Sequence, residues 1–120
     1  MIGNKKYTFV FDLDGTVCET KRPDQTYRQV KPIKGMPEIL RKLHEDGHYI
    51  IIHTARNMLT YAGNVGKITA HQVPIIVDWF RQWKIPFDEI VVGKPLADFY
   101  ICDKAIEFRT VELLKEDLGI

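Results

Sequence analysis

Apolar residues cluster along the chain in short runs that longer polar stretches separate. Residues 7–11 and 49–52 are continuous runs of aromatic and β-branched residues. Runs of this kind are typical of strands that are buried on both faces of a parallel sheet. Two shorter runs, at residues 90–92 and 99–102, predict a third and a fourth strand.

Between the first two strands, apolar residues recur at helical spacing. Pro37 stands near the predicted start of a first helix, where proline is well tolerated. Ile39, Leu40 and Leu43 lie on one face of this helix, and Gly47 follows its end.

Two further helices are predicted later in the chain. Pro74 opens the second helix, which carries one apolar stripe. The members of the stripe are Val73, Ile76, Val77 and Phe80. The last helix covers residues 110–118, with Gly119 as its cap.

Strands that alternate with helices predict an α/β fold with a mostly parallel sheet. We expect a Rossmann-like three-layer sandwich that forms a single domain over residues 1–120, because the sequence holds no repeats or linker-like stretches. Polar loops are predicted at residues 12–34, with room for a short hairpin, and at residues 56–71. In sheets of this type, ligands bind beyond the carboxyl ends of the strands.

Charge and composition limit the expected partners. Lys and Arg number 17 against 16 Asp and Glu, so a net charge of +1 gives no reason to expect nucleic acid as a general partner. No window holds the roughly eighteen apolar residues of a membrane span, and the N-terminus lacks the apolar stretch of a signal peptide. We therefore expect no membrane partner and a cytoplasmic location. Cys18 and Cys102 are expected to be reduced thiols.

Each predicted strand ends on polar groups that suit the handling of phosphate. The first strand leads into Asp12-Leu13-Asp14-Gly15-Thr16, and the second ends at Thr54, with Arg56 two residues later. The third is followed by Gly93-Lys94 and the fourth by Asp103. If the sheet is parallel, these groups converge on one rim.

This convergence has a chemical logic. A phosphate ester repels anionic nucleophiles, so a carboxylate attacks it only where the local negative charge is neutralised. A Mg²⁺ ion bound by Asp12, Asp103 and the backbone carbonyl of Asp14 would supply much of that neutralisation. Lys94 adds a fixed positive charge, and the Thr54 hydroxyl can donate a hydrogen bond to a phosphoryl oxygen.

Asp12 is then the predicted nucleophile, because attack through its carboxylate splits one hard displacement into two easier ones. Asp14 lies two residues further on and is the predicted general acid and base. Gly15 allows a sharp turn after the strand, and the Thr16 hydroxyl could brace that turn.

The pattern of Asp12-x-Asp14-Gly15-Thr16, Thr54, Lys94 and Asp103 resembles the four motifs of phosphatases of the haloacid dehalogenase superfamily. Three further stretches resemble a subgroup of short proteins that are associated with capsule or surface-polysaccharide biosynthesis. They are residues 54–58, residues 63–68 with the nearby Tyr61, and residues 92–95.

The resemblance implies a magnesium-dependent phosphomonoesterase that acts through an aspartyl-phosphate. The chain is expected to be too short for the separate cap domain that many relatives use to select substrates. Its metal ligands would be Asp12, Asp14 and Asp103, and its substrate a phosphorylated sugar or related metabolite. Members of the subgroup often carry two adjacent acids where this chain has Cys102-Asp103, so Glu107 or Asp98 could replace the second one. Without a separate cap domain, the chain's own loops or a neighbouring subunit must cover the site.

Thr16, Arg56 and Asn57 are the predicted substrate-binding residues. For Arg56 and Asn57, a structural role is an equally good interpretation: they could brace the loop at residues 63–68 and not bind substrate.

Three other functions are alternatives to the phosphatase. A phosphoacceptor receiver domain carries its acceptor Asp after a middle strand, whereas the middle strand here ends in His53-Thr54. A phosphomutase must shield its intermediate from water, for which a capless site is poorly built. A non-catalytic binding or assembly module is the alternative that stays open.

Overall fold

Three strands and three helices alternate in residues 4–120, the part of the chain that the computed structural model describes. Their order is β1 (Thr8–Asp12), α1 (Met36–Glu45), β2 (Tyr49–Thr54), α2 (Val65–Gln82), β3 (Glu89–Val92) and α3 (Val111–Leu118). The strands form one sheet in the order β1-β2-β3, and both pairs are parallel. For residues 4–120 the predicted fold class is confirmed: this part of the chain has a Rossmann-like α/β fold with a parallel sheet and no separate cap domain.

Side chains that alternate along the strands divide the sheet into a buried face and a more exposed face. Phe11, Ile50 and Ile52 enter a single apolar core. The helices contribute Met36, Ile39, Leu40, Leu43, Ile76, Trp79, Phe80, Leu114 and Leu118 to this core. On the other face Val10 is 60% exposed, Tyr49 42% and Val91 39%.

Helix α2 begins earlier than the sequence pattern predicts. The Asn64 side chain accepts a hydrogen bond from the Lys67 backbone N–H and caps the helix, so Pro74 lies inside it and does not open it. The predicted loop at residues 56–71 is accordingly shorter. A proline inside a helix removes one backbone hydrogen bond, but the buried side chains of Ile68 and Ile76 on either side of it favour a continuous helix.

The predicted fourth strand at residues 99–102 does not form. These residues have no regular structure, and every residue from 95 to 107 is exposed. Their composition favours a strand, but a strand exists only through its neighbours, and strand propensity depends strongly on that context. No other described strand pairs with this segment.

The other predicted elements are present with small shifts of their ends. The loop after β1 contains the expected short hairpin, in which the Glu19 N–H donates to the Lys31 carbonyl and the Ile33 N–H to the Val17 carbonyl. Helix α3 is capped by the Thr110 side chain. No helix within residues 4–120 is long and apolar enough to cross a membrane.

Candidate active site

Parallel strands place Asp12, Thr54 and Lys94 at the same rim of the sheet. Asp12 ends β1, Thr54 ends β2, and Lys94 follows β3 by two residues. The Lys94 N–H donates to the Thr54 carbonyl at 3.1 Å, which fixes the start of the last loop against β2. The Lys94 Nζ then lies 3.0 Å from the Asp12 Oδ1. This ion pair joins the predicted nucleophile to the predicted phosphate-binding cation.

Asp14 is held mainly by Arg56. The guanidinium Nε lies 3.1 and 3.0 Å from the two carboxylate oxygens, and Nη2 lies 3.0 Å from Oδ1. The Thr54 hydroxyl also donates to Asp14 Oδ2 at 3.3 Å and accepts from the Arg56 N–H at 3.1 Å. Arg56 is only 5% exposed, so this contact is made largely out of water.

The turn after β1 brings Asp14 to this position. Gly15 adopts a positive φ of 83°, which a residue with a side chain rarely tolerates. Its N–H donates to the Cys18 carbonyl at 2.8 Å, and this bond closes the turn. Thr16 lies half-buried in the turn with its N–H bonded to the Leu13 carbonyl, and it does not line the cleft described next.

A cleft of about 500 Å³ opens over the rim. Asp12, Asp14, Arg56, Asn57 and Lys94 line it, which brings five of the predicted site residues together. The remaining walls come from three loops, and their residues are Thr20, Lys21, Tyr27, Ala55, Leu59, Thr60, Leu96, Ala97 and Tyr100. The volume is in the range of small-molecule binding sites.

Two tyrosines of the cleft were not identified from the sequence. The Tyr27 ring lies 4.1 Å from the Arg56 guanidinium carbon, and the Tyr100 ring lies 4.3 Å from the Lys94 Nζ. Burial and the nearby Asp14 carboxylate raise the pKa of Tyr27, so its hydroxyl stays protonated at neutral pH. Neither tyrosine belongs to a local motif, because each reaches the cleft from an irregular loop.

Cys18 and His53 lie beside the site without a charge of their own. Burial, followed by the Asp14 carboxylate, raises the pKa of the Cys18 thiol to about 12. The thiol lies 3.5 Å from Asp14 Oδ1 and donates to it, so Cys18 is not a nucleophile. Burial and the charge of Lys94 lower the pKa of His53.

Asn57 takes its position from helix α2. It adopts a left-handed φ of 60°, and its side-chain oxygen accepts a hydrogen bond from Nε2 of the fully buried Gln72. Gln72 was another residue that the sequence analysis did not identify. Arg56 thus braces Asp14, whereas Asn57 is itself braced by Gln72 of α2, and residues 65–68 of the predicted loop are the first turn of that helix.

Asp103, a predicted metal ligand, does not reach the cleft in this structure. It lies in the exposed segment 95–107, where its recorded contact is with the neighbouring Cys102. The prediction depended on a fourth strand parallel to the others at residues 99–102, and that strand does not form. Glu107 and Asp98, the suggested replacements, are also exposed in this segment.

The cleft offers two of the three predicted magnesium ligands, the carboxylates of Asp12 and Asp14. Within residues 4–120, no group of three His, Cys, Asp or Glu side chains lies together as a metal site. Mg²⁺ often uses only one or two carboxylates and keeps waters and substrate oxygens as its other ligands. Asp12 and Asp14 supply two such carboxylates, although Arg56 already holds Asp14.

Comparison with known proteins identifies a relative that matches nearly the whole chain. No family model matches the sequence, and no curated protein matches it. A crystal structure of a structural-genomics target from Vibrio cholerae is similar, with 41% identity, a TM-score of 0.77, and coverage of 95% of this chain and 99% of that one. The chain therefore belongs to the same family as this Vibrio cholerae protein.

Proposed function

We propose that the protein is a magnesium-dependent phosphatase that hydrolyses a phosphomonoester through an aspartyl-phosphate on Asp12. This activity is the one that the resemblance to haloacid dehalogenase-type phosphatases implies. The observation that carries the proposal is the 3.0 Å contact between Asp12 and Lys94 in a cleft that Asp14 also lines. A carboxylate, an adjacent acid and a fixed cation are the groups that this reaction needs.

In the first step, the Asp12 carboxylate attacks the phosphorus atom and the bond to the ester oxygen breaks. Asp14 donates a proton to that oxygen, which leaves as an alcohol. Lys94 binds an oxygen of the transferring phosphoryl group and offsets its negative charge. The Thr54 hydroxyl, which donates to Asp14 and lies buried beneath the cleft in this structure, joins it by turning from Asp14 to the phosphoryl group. Arg56 orients Asp14, so it is a positioning residue in this scheme.

In the second step, water attacks the phosphorus atom of the aspartyl-phosphate. Asp14, deprotonated by the first step, accepts a proton from this water. The bond between phosphorus and Asp12 breaks, and inorganic phosphate leaves. When bound by Asp12 and Asp14, Mg²⁺ would supply further neutralisation of the phosphate charge.

A phosphorylated sugar, or a related metabolite of surface-polysaccharide biosynthesis, is the substrate class that we propose, and this step rests on the resemblance alone. The cleft has a compatible size and two aromatic rings, Tyr27 and Tyr100, at its walls. We also propose a cytoplasmic location, because Cys18 and Cys102 are both free thiols.

The placement of Asp103 favours a second candidate, a non-catalytic binding or assembly module. Asp103 lies outside the cleft, and both oxygens of Asp14 already accept hydrogen bonds from Arg56. A protein that binds a phosphorylated ligand without turning it over would use the same cleft, with Lys94 and Thr54 as its phosphate contacts.

The test is phosphate release from a panel of phosphomonoesters, sugar phosphates included, with Mg²⁺ and then with EDTA. We expect metal-dependent release by the wild type and by Asp24→Asn, a matched control whose acid lies in an exposed ion pair with Arg22. Asp12→Asn should release none while folding normally. Turnover by Asp12→Asn, with contamination and deamidation excluded, would contradict the mechanism, and no release by folded wild type would favour the binding module.

A further inference from the structure

Residues 95–107 form a segment that we call the arm. All thirteen residues are exposed. The arm carries large apolar side chains, of which Phe99 is 85% exposed and Ile101 100%. Apolar residues of this size in one exposed segment are typical of a surface that another protein covers.

Both ends of the arm are fixed to the body of the protein. At its start, the Lys94 N–H is bonded to the Thr54 carbonyl. At its end, Phe108 packs against the core and Thr110 caps α3. The arm therefore runs between two anchored points and is not a frayed terminus, and its Leu96, Ala97 and Tyr100 line the cleft of the same chain.

Strand β1 offers the complementary surface. In the described part of the chain it pairs with β2 on one side only, so the other edge of Thr8–Asp12 has free backbone donors and acceptors. An open edge of this kind readily accepts an added strand. Val10, in the middle of β1, is 60% exposed and supplies an apolar side chain at this edge.

The arm is too short to reach this edge within its own chain. A strand at residues 99–102 that ran parallel to β1 would begin at the opposite end of the sheet from the end of β3. Only six residues, 93–98, separate it from β3. A crossover between parallel strands needs about a dozen or more, and Lys94 is already tied to the end of β2.

We propose that two copies of the chain exchange arms, so that residues 99–102 of each copy add a parallel strand to the free edge of β1 in the other. The exchange places Asp103 of one copy at the rim of the other, beside Asp12, as the acid that the cleft lacks. This role of Asp103 rests on the proposed phosphatase function, whereas the pairing of arm and strand does not. A symmetric pair uses both surfaces twice and leaves neither exposed.

Cross-linking tests the exchange without reference to activity. Val10→Cys and Ile101→Cys are made separately, each with Cys102→Ser, and the two proteins are mixed, refolded together and treated with a short bis-maleimide. We expect a covalent species at twice the 14.0 kDa chain mass in the mixture. Each variant alone is the control for links between identical positions.

The double variant Val10→Cys/Ile101→Cys, again with Cys102→Ser, completes this experiment. In the exchanged arrangement it yields linked dimers, and the untreated wild type sediments as a dimer. Links that form only within one copy, or a wild type that sediments as a monomer at every concentration, would overturn the proposal.

Complementation tests the role of Asp103. Asp12→Asn and Asp103→Asn are each expected to be inactive, but a mixed pair contains one site with Asp12 from one copy and Asp103 from the other. Random pairing should restore about a quarter of the wild-type activity. No recovery, with dimers cross-linked as expected, would overturn the role of Asp103 alone. An inactive wild type that still cross-links would instead reject the phosphatase function and leave the exchange standing.

Discussion

The rim around Asp14 and the arm that carries Asp103 differ in how the chain holds its acidic groups. Asp14 is fixed by the buried Arg56 and by Thr54, from a turn whose neighbours Leu13, Val17 and Cys18 are fully buried. Asp103 lies in an exposed segment, where its contact is with the neighbouring Cys102, although Leu96, Ala97 and Tyr100 of the same segment line the cleft. The first half of the candidate site is therefore built within one copy, and the second half is not.

The largest expected effect is a loss of kcat when the contact between Arg56 and Asp14 is removed. Arg56→Ala removes the group that orients Asp14, so we expect kcat to fall about 100-fold, the scale of general acid–base catalysis, with a smaller change in KM. Arg56→Lys should lie between, because lysine cannot make the two-nitrogen contact. Steady-state kinetics on the best ester of the panel measures both constants.

The control for this variant is Arg22→Ala, which removes an exposed arginine paired with Asp24. It should keep both the wild-type kcat and the wild-type melting temperature. A kcat near the wild-type value in a folded Arg56→Ala protein would contradict the positioning role. A higher KM with unchanged kcat would instead place Arg56 in substrate binding.

Local sequence predicted several features that depend on near neighbours, although it missed the Asn64 cap at the start of α2. The run at residues 7–11 and the Gly119 cap appear almost where they were expected, and Thr110, the predicted first residue of the last helix, is its N-cap. The contact between Arg56 and Asp14 spans 42 positions, and no spacing rule anticipates it. The predicted strand at residues 99–102 was wrong for a different reason. Its composition suits a strand, but no described strand of the same chain lies where it could pair with this segment.

The two cysteines allow a second comparison between the rim and the arm, because Cys18 is buried beside Asp14 and Cys102 is exposed on the arm. The thiol of Cys18 has its pKa raised from 9.0 to about 12, so folding favours the neutral thiol. The resulting stability is fully present below pH 9 and is lost as the pH rises towards 12, because only the unfolded chain ionises readily in that window. At pH 11 the loss should be on the order of 2 kcal/mol.

Urea unfolding at pH 8 and pH 11 measures this loss. Cys18→Ala should lose less stability over the same interval than the wild type, and Cys102→Ala, at an exposed thiol, is the matched control. An equal pH dependence in Cys18→Ala and wild type would show that the Cys18 thiol is not protected in the folded state.

The smallest expected effects are changes in the free energy of unfolding when isoleucine is replaced by valine, at Ile52 in the core and at Ile101 on the arm. Ile52 is fully buried, so Ile52→Val should lower the free energy of unfolding by about 1 kcal/mol at every protein concentration. Ile101 is fully exposed in one copy, so Ile101→Val can act only through a second copy. Its effect should therefore appear where the protein is dimeric and vanish on dilution, because stability gained by association depends on concentration.

Urea unfolding over a range of protein concentrations separates the two cases. A loss in Ile101→Val that persists at high dilution would mean that the arm packs within its own chain, and the two halves of the site would then not differ in the way argued above.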